Sequence, residues 1–188
     1  SVPWLLLSDP LLRLFDMNGL NEVSIDRVAS TILSLLGVEK EKEMTNEIEM
    51  VTKERKCDRV IMYNPDAIAE WIYEAHRDLF APVLNKIDLN LEMLSMVPPV
   101  TPVCFASMYS GLLPEKHGIR EYVKPILKCR TVFDCLSESG KKCAIVSTEG
   151  DSVSKIFLEW NIDYFIYKTK EECNEKAFSL IYEDHYDL

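Results

Sequence analysis

The chain has 188 residues, 47% of them hydrophobic and 28% charged, and a formal net charge of -10. That length is enough for one domain with a real core, and the composition is that of a globular protein. The acidity argues against nucleic acid as the main partner, because neutralising a phosphate backbone needs a basic face.

No apolar run approaches the roughly 20 residues needed to span a bilayer, so no membrane segment is expected. The apolar stretch at residues 2–7 is short and lacks a basic flank, unlike a signal peptide. Cys57, Cys104, Cys129, Cys135, Cys143 and Cys173 form no CxxC and no zinc-finger spacing. Reduced thiols in a cytoplasmic protein are the expectation.

In chain order, Val2-Pro-Trp-Leu-Leu-Leu7 reads as a strand. An amphipathic helix follows, from a cap at Ser24 through Ile25, Val28, Ile32 and Leu35 to a stop at Gly37. Residues 38–56 are dense in Glu and Lys and read as an exposed helix or tether. The chain thus divides into a strand–helix piece at 1–44, a charged linker at 45–57 and a main body at 58–188.

The main body alternates strand and helix. Residues 59–63 predict a short strand, and 67–80 a helix with Ile68, Trp71, Ile72, Ala75 and Leu79 on one side. A second strand falls at 89–96, then a short helix at 103–110 closed by Gly111. Residues 131–139 predict a helix stopped by Gly140. A buried strand at 143–147, a helix at 152–160 and a strand at 163–167 come next. Thr169-Lys-Glu-Glu172 is a capping box opening a helix to about 184, and Asp187-Leu188 looks like the first step of another strand. The fold class this predicts is α/β, with a mostly parallel sheet and helices on both faces. Ligands of such sheets bind beyond the C-terminal strand ends.

Two residues fall on that edge. Asp66 ends a strand, where a carboxylate either binds a cation or caps the next helix. Thr101, in Pro98-Pro-Val-Thr-Pro102, is the natural N-cap of the following helix, with Pro102 in its first turn. A metal or base would make its hydroxyl a nucleophile, and the free amides of the helix start would hold a phosphate. The remaining polar candidates read as structural. His117, in a turn with Gly118, reads as a turn residue bonded to backbone, and His76 as surface or core. His185 sits at a helix end, where a cation suits the dipole. Cys104 is near a helix start that could lower a thiol pKa, against plain packing. Gly150-Asp151-Ser152 is a loop-to-helix turn.

Three motifs together resemble the alkaline phosphatase superfamily, in its type I phosphodiesterase and nucleotide pyrophosphatase branch. They are Arg59-Val-Ile-Met-Tyr-Asn-Pro-Asp66, Pro99-Val-Thr-Pro102 and Tyr109-Ser-Gly-Leu-Leu-Pro-Glu-Lys-His-Gly-Ile119. The resemblance covers residues 57–188. It implies an alkaline phosphatase-like core, with Asp66 as metal ligand and Thr101 as metal-bound nucleophile forming a covalent phospho-enzyme. It also implies two divalent ions, zinc or alternatively manganese, and a small phosphorylated substrate.

The chain departs from the family at Asn64, Pro65 and Ala67, and at Cys104, where the diesterases often carry an asparagine. The family's further Asp and His ligands would lie beyond Leu188 or come from another chain, so a homo-oligomer or pairing with another chain is expected. Val2-Pro-Trp-Leu-Leu-Leu7 followed by the segment from Val23 to Gly37 looks like the segment that closes such domains, so the chain reads as the tail of the fold placed before its head. The functional expectation is a metal-dependent phosphohydrolase. A catalytically incomplete relative acting as a binding or assembly domain is the alternative, and a thiol enzyme using Cys104 a third.

Overall fold

A computed structural model describes residues 23–188 except 54, 66–67, 88, 159–160 and 184. In chain order the elements begin with β1 (Val23–Ser24), a 3-10 turn (Ile25–Arg27), α1 (Val28–Leu35) and α2 (Glu49–Thr52). Next come α3 (Glu70–Ala75), α4 (Arg77–Leu84), β2 (Met93–Leu94), α5 (Thr101–Ser110) and α6 (Pro114–His117). The chain closes with α7 (Val132–Glu138), β3 (Ala144–Thr148), α8 (Val153–Ile156), β4 (Asp163–Tyr167) and α9 (Lys170–Glu183). The expected α/β character holds, as helices with small parallel sheets.

The described residues fall into two compact units, one within 1–25 and 63–95, the other within 26–62 and 96–188. In the first, β1 and β2 run parallel with Val23 opposite Met93 and Ser24 opposite Leu94. The helix expected over 67–80 is two helices, because His76 leaves helical geometry at φ -133° and ψ 35°. That break ends the continuous apolar stripe, and Trp71 and Leu79 are both 71% exposed. Tyr73 is buried in their place. Its ring meets Phe80 edge-on at 5.3 Å, and its hydroxyl accepts the Asn90 side-chain N–H at 3.0 Å.

In the second unit, β3 and β4 pair in parallel over five residues, from Ala144 opposite Asp163 to Thr148 opposite Tyr167. The ladder continues on the other side of β3. The Ala144 N–H donates to the Leu188 carbonyl at 2.9 Å, and the Asp187 N–H to the Lys142 carbonyl at 2.7 Å. The Val60 N–H then donates to the Asp187 carbonyl at 2.8 Å. The strand step expected at 187–188 is therefore present as pairing, while the strand expected at 59–63 is reduced to extended chain with one ladder bond. The Asp187 carboxylate fixes this end by accepting the Lys142 N–H at 2.7 Å and the Lys141 ammonium at 3.1 Å. Helix α9 packs on β3 and β4, and α8 packs on β3.

Helix α5 is apolar on nearly every side and is accordingly a core helix, with all residues but Thr101 and Phe105 buried. Its Tyr109 ring stacks on Phe133 of α7 at 5.4 Å, and Phe157 meets the two rings edge-on at 5.3 and 5.5 Å. Phe157 is fully buried, which explains why the helix expected over 152–160 stops at Ile156. The chain leaves helical geometry at Phe157 to seat that ring. Gly111 ends α5 at φ 67°, and a Cβ there would stand 3.0 Å from the Met44 side chain.

The segment expected as an exposed tether at 38–56 is packed instead. Met44, Ile48 and Val51 are buried, since the Met and Ile scattered among its charges belong to the core. The buried Asp26 accepts the Thr45 hydroxyl at 2.6 Å, and the Thr45 N–H donates to the Gly111 carbonyl at 2.9 Å, tying this segment to the end of α5. Ser24, expected as a cap, lies in β1, and the 3-10 turn separates it from α1. The strand expected at 2–7 lies outside the described residues.

Candidate functional site

Thr101 is the candidate nucleophile. The expectation that it caps α5 is corrected, since Val100 is the N-cap (φ -107°, ψ 146°) and Thr101 is the first helical residue. Pro102 suits either placement, since its fixed φ fits the first turn and its missing N–H costs nothing there. No side chain caps α5, and among the described residues the Thr101 hydroxyl has no hydrogen-bond partner. Thr101 is half-buried, at the one end of α5 that the core leaves accessible. The intrahelical ladder begins with the Cys104 N–H, which donates to the Val100 carbonyl at 3.0 Å. The N–H groups of Thr101 and Val103 precede that bond and are not part of the ladder.

Asp66, the candidate metal ligand, lies outside the described residues.

His117 is bound into the fold, as the turn reading expects. Its Nδ1 accepts the Ile119 N–H at 3.2 Å, and its Nε2 lies 2.9 Å from the Ser107 hydroxyl oxygen. An accepting Nδ1 leaves the proton on Nε2, so the neutral ring donates to Ser107. Burial pulls its pKa down to about 4, against the smaller opposing effect of Glu115. With both ring nitrogens committed, His117 is not a metal ligand in this conformation.

Cys104 is buried, and burial raises its thiol above the usual range despite a backbone hydrogen bond at Met96 that acts the other way. The thiol-enzyme expectation needs the opposite shift, so packing is the role this geometry supports. Burial is also the leading cause of the raised Cys57, Cys135, Cys143 and Cys173 thiols, with Cys143 pushed to about 12. All six cysteines are free. His76 and His185 are exposed. Asp151 accepts the Ser147 hydroxyl at 3.1 Å and the Ser152 N–H at 2.6 Å, which makes 150–152 a self-bonded turn.

Sequence reasoning missed Ser107. It is fully buried on α5, six residues past Thr101, and ties that helix to the His117 turn. A lone serine in an apolar helix gives no pattern that points to such a partner.

Divalent-metal binding needs three or four ligands, and no group of three or more His, Cys, Asp or Glu is gathered for it among the described residues. At this helix start the described residues offer the Thr101 hydroxyl as one oxygen donor. Among the described residues, no helix is long and apolar enough to cross a membrane. Set against family sequence models, curated proteins and solved structures, the chain matches none of them.

Proposed function

We propose that the chain belongs to a metal-dependent phosphohydrolase of the alkaline phosphatase type, acting on a small phosphorylated substrate, with Thr101 as nucleophile and Asp66 as a metal ligand. The observation that carries this reading is the uncommitted Thr101 hydroxyl at the start of a buried helix. A threonine there is most often spent on capping, and this one is not. Rigid core packing of α5 supports a fixed line of attack, and partial exposure of Thr101 supports substrate access. When bound, the divalent ions, Zn2+ or Mn2+, would lower the hydroxyl pKa and stabilise charge on the phosphoryl oxygens.

The test uses the native protein incubated with Zn2+ or Mn2+ and bis(p-nitrophenyl) phosphate, quenched in acid and mapped by mass spectrometry. A p-nitrophenylphosphoryl adduct on Thr101, with release of one p-nitrophenol, is the expected result. Turnover with the adduct elsewhere would remove Thr101 from the role. Neither turnover nor adduct with either metal would favour the alternative, a binding or assembly domain.

A further inference from the structure

We infer that His117, locked as the neutral Nε2–H tautomer, is a positioning latch that ties α5 and hence Thr101 through Ser107 to the turn at 114–119, and that acid opens its turn-side half, the bond to Ile119. The importance of Thr101 rests on the function proposed above; the latch itself does not.

The two ring nitrogens do different work. Nε2–H reaches across to Ser107 on α5, while Nδ1 receives the Ile119 N–H within its own turn. Both hydrogen bonds are buried, and Ser107, His117 and Ile119 are all shielded from water. Protonating the ring leaves the Ser107 bond intact, since Nε2 carries a proton in either state. It places an Nδ1–H donor against the Ile119 N–H donor, so that one bond must break. The latch therefore opens from the turn side, and a buried donor without an acceptor drives local opening.

The charged surroundings are simple. Helix α5 carries no acid, lysine, arginine or histidine, and offers the ring the Ser107 hydroxyl. Glu115, in the same turn as the ring, favours the protonated form, but burial outweighs it. Pro114 and the left-handed Gly118 (φ 86°) set the turn so that the ring can reach its own residue-plus-two amide.

Two substitutions separate the arms. Asparagine places an oxygen near the Nδ1 position and can accept the Ile119 N–H, as Asn side chains in turns do, but it cannot reach Ser107. Glutamine places its amide near the Nε2 position and can reach Ser107, but it leaves the Ile119 N–H without its partner.

The experiment is NMR of the full chain from pH 7 to 4, reading the His117 ring nitrogens and amide exchange at Ile119 and along α5. The neutral Nε2–H tautomer is expected at pH 7, with Ile119 protection beyond its intrinsic rate falling several-fold as the pH approaches 4. His117→Asn should keep Ile119 protected and abolish that acid step. His117→Gln should expose Ile119 already at pH 7. An Nδ1–H tautomer in the parent, or an undiminished acid step in His117→Asn, would overturn the inference. If His117→Gln fails to fold, the parent ring spectrum and His117→Asn still decide it. Turnover is not among these readouts, so a failed latch and a failed Thr101 assignment remain separate results.

Discussion

Helices α5 and α7 lie in the same unit and each begins at a threonine, yet the two ends are built differently. Thr131 stands one residue before α7 in a capping box, and its hydroxyl is committed: Asp134 accepts the Thr131 N–H at 2.7 Å and the Thr131 hydroxyl at 2.9 Å. Thr101 stands one residue inside α5, and its hydroxyl bonds to none of the described residues. The far ends differ in the opposite sense. Gly111 after α5 is pressed against Met44, whereas a Cβ on Gly140 after α7 would meet nothing within 4 Å. One helix is secured by its start and the other by its finish, which leaves the Thr101 hydroxyl uncommitted.

Substitutions can break or sharpen this contrast. The largest effect is expected at the ring both helices share, where Phe157→Ala should cost about 3–5 kcal/mol in urea unfolding by leaving a cavity under Tyr109 and Phe133. Gly111→Ala should cost about 1–3 kcal/mol, combining left-handed strain with the Met44 approach. Gly140→Ala should cost less, since it meets backbone strain alone. Equal losses at the two glycines would remove the packing half of the comparison. Thr131→Ala should cost about 1 kcal/mol through its lost cap, while Thr101→Ala should stay within about 0.5 kcal/mol. A Thr101→Ala loss as large as that of Thr131→Ala would show a committed hydroxyl.

A separate effect is the pH dependence carried by His117. Its folded pKa of about 4 lies below the ordinary 6.5. Between those values the unfolded chain takes up a proton that the folded chain refuses, so stability falls as pH drops from 6.5 towards 4. His117→Asn should flatten the unfolding midpoint over that window. An unchanged slope would assign it to other groups.

Much of the fold was legible because local chemistry and final structure agree where they can be compared. The strand expected at 163–167 is present, and the Thr169 box forms with Glu172 accepting the Thr169 N–H at 3.1 Å. Gly37, Gly111 and Gly140 all end helices at positive φ. The errors arise where tertiary packing overrides pattern. Phe157 leaves its helix for an aromatic cluster that no sequence window contains. Met44, Ile48 and Val51 turn a charged stretch into packed chain. At the candidate site, the threonine–proline pair could be read as a helix start, but the position of the cap one residue earlier could not, because both placements satisfy Pro102 equally. The Ser107–His117 bond joins residues ten apart across a turn whose direction only the fold determines.

The most direct test of the central claim, a free hydroxyl at Thr101 doing nucleophilic work, is turnover of bis(p-nitrophenyl) phosphate by the native protein carrying Thr101→Ala or Thr101→Ser. The account predicts that alanine reduces hydrolysis to the metal-only background with the fold intact, and that serine, which keeps the hydroxyl, retains measurable turnover. Parent-like hydrolysis by Thr101→Ala would contradict it.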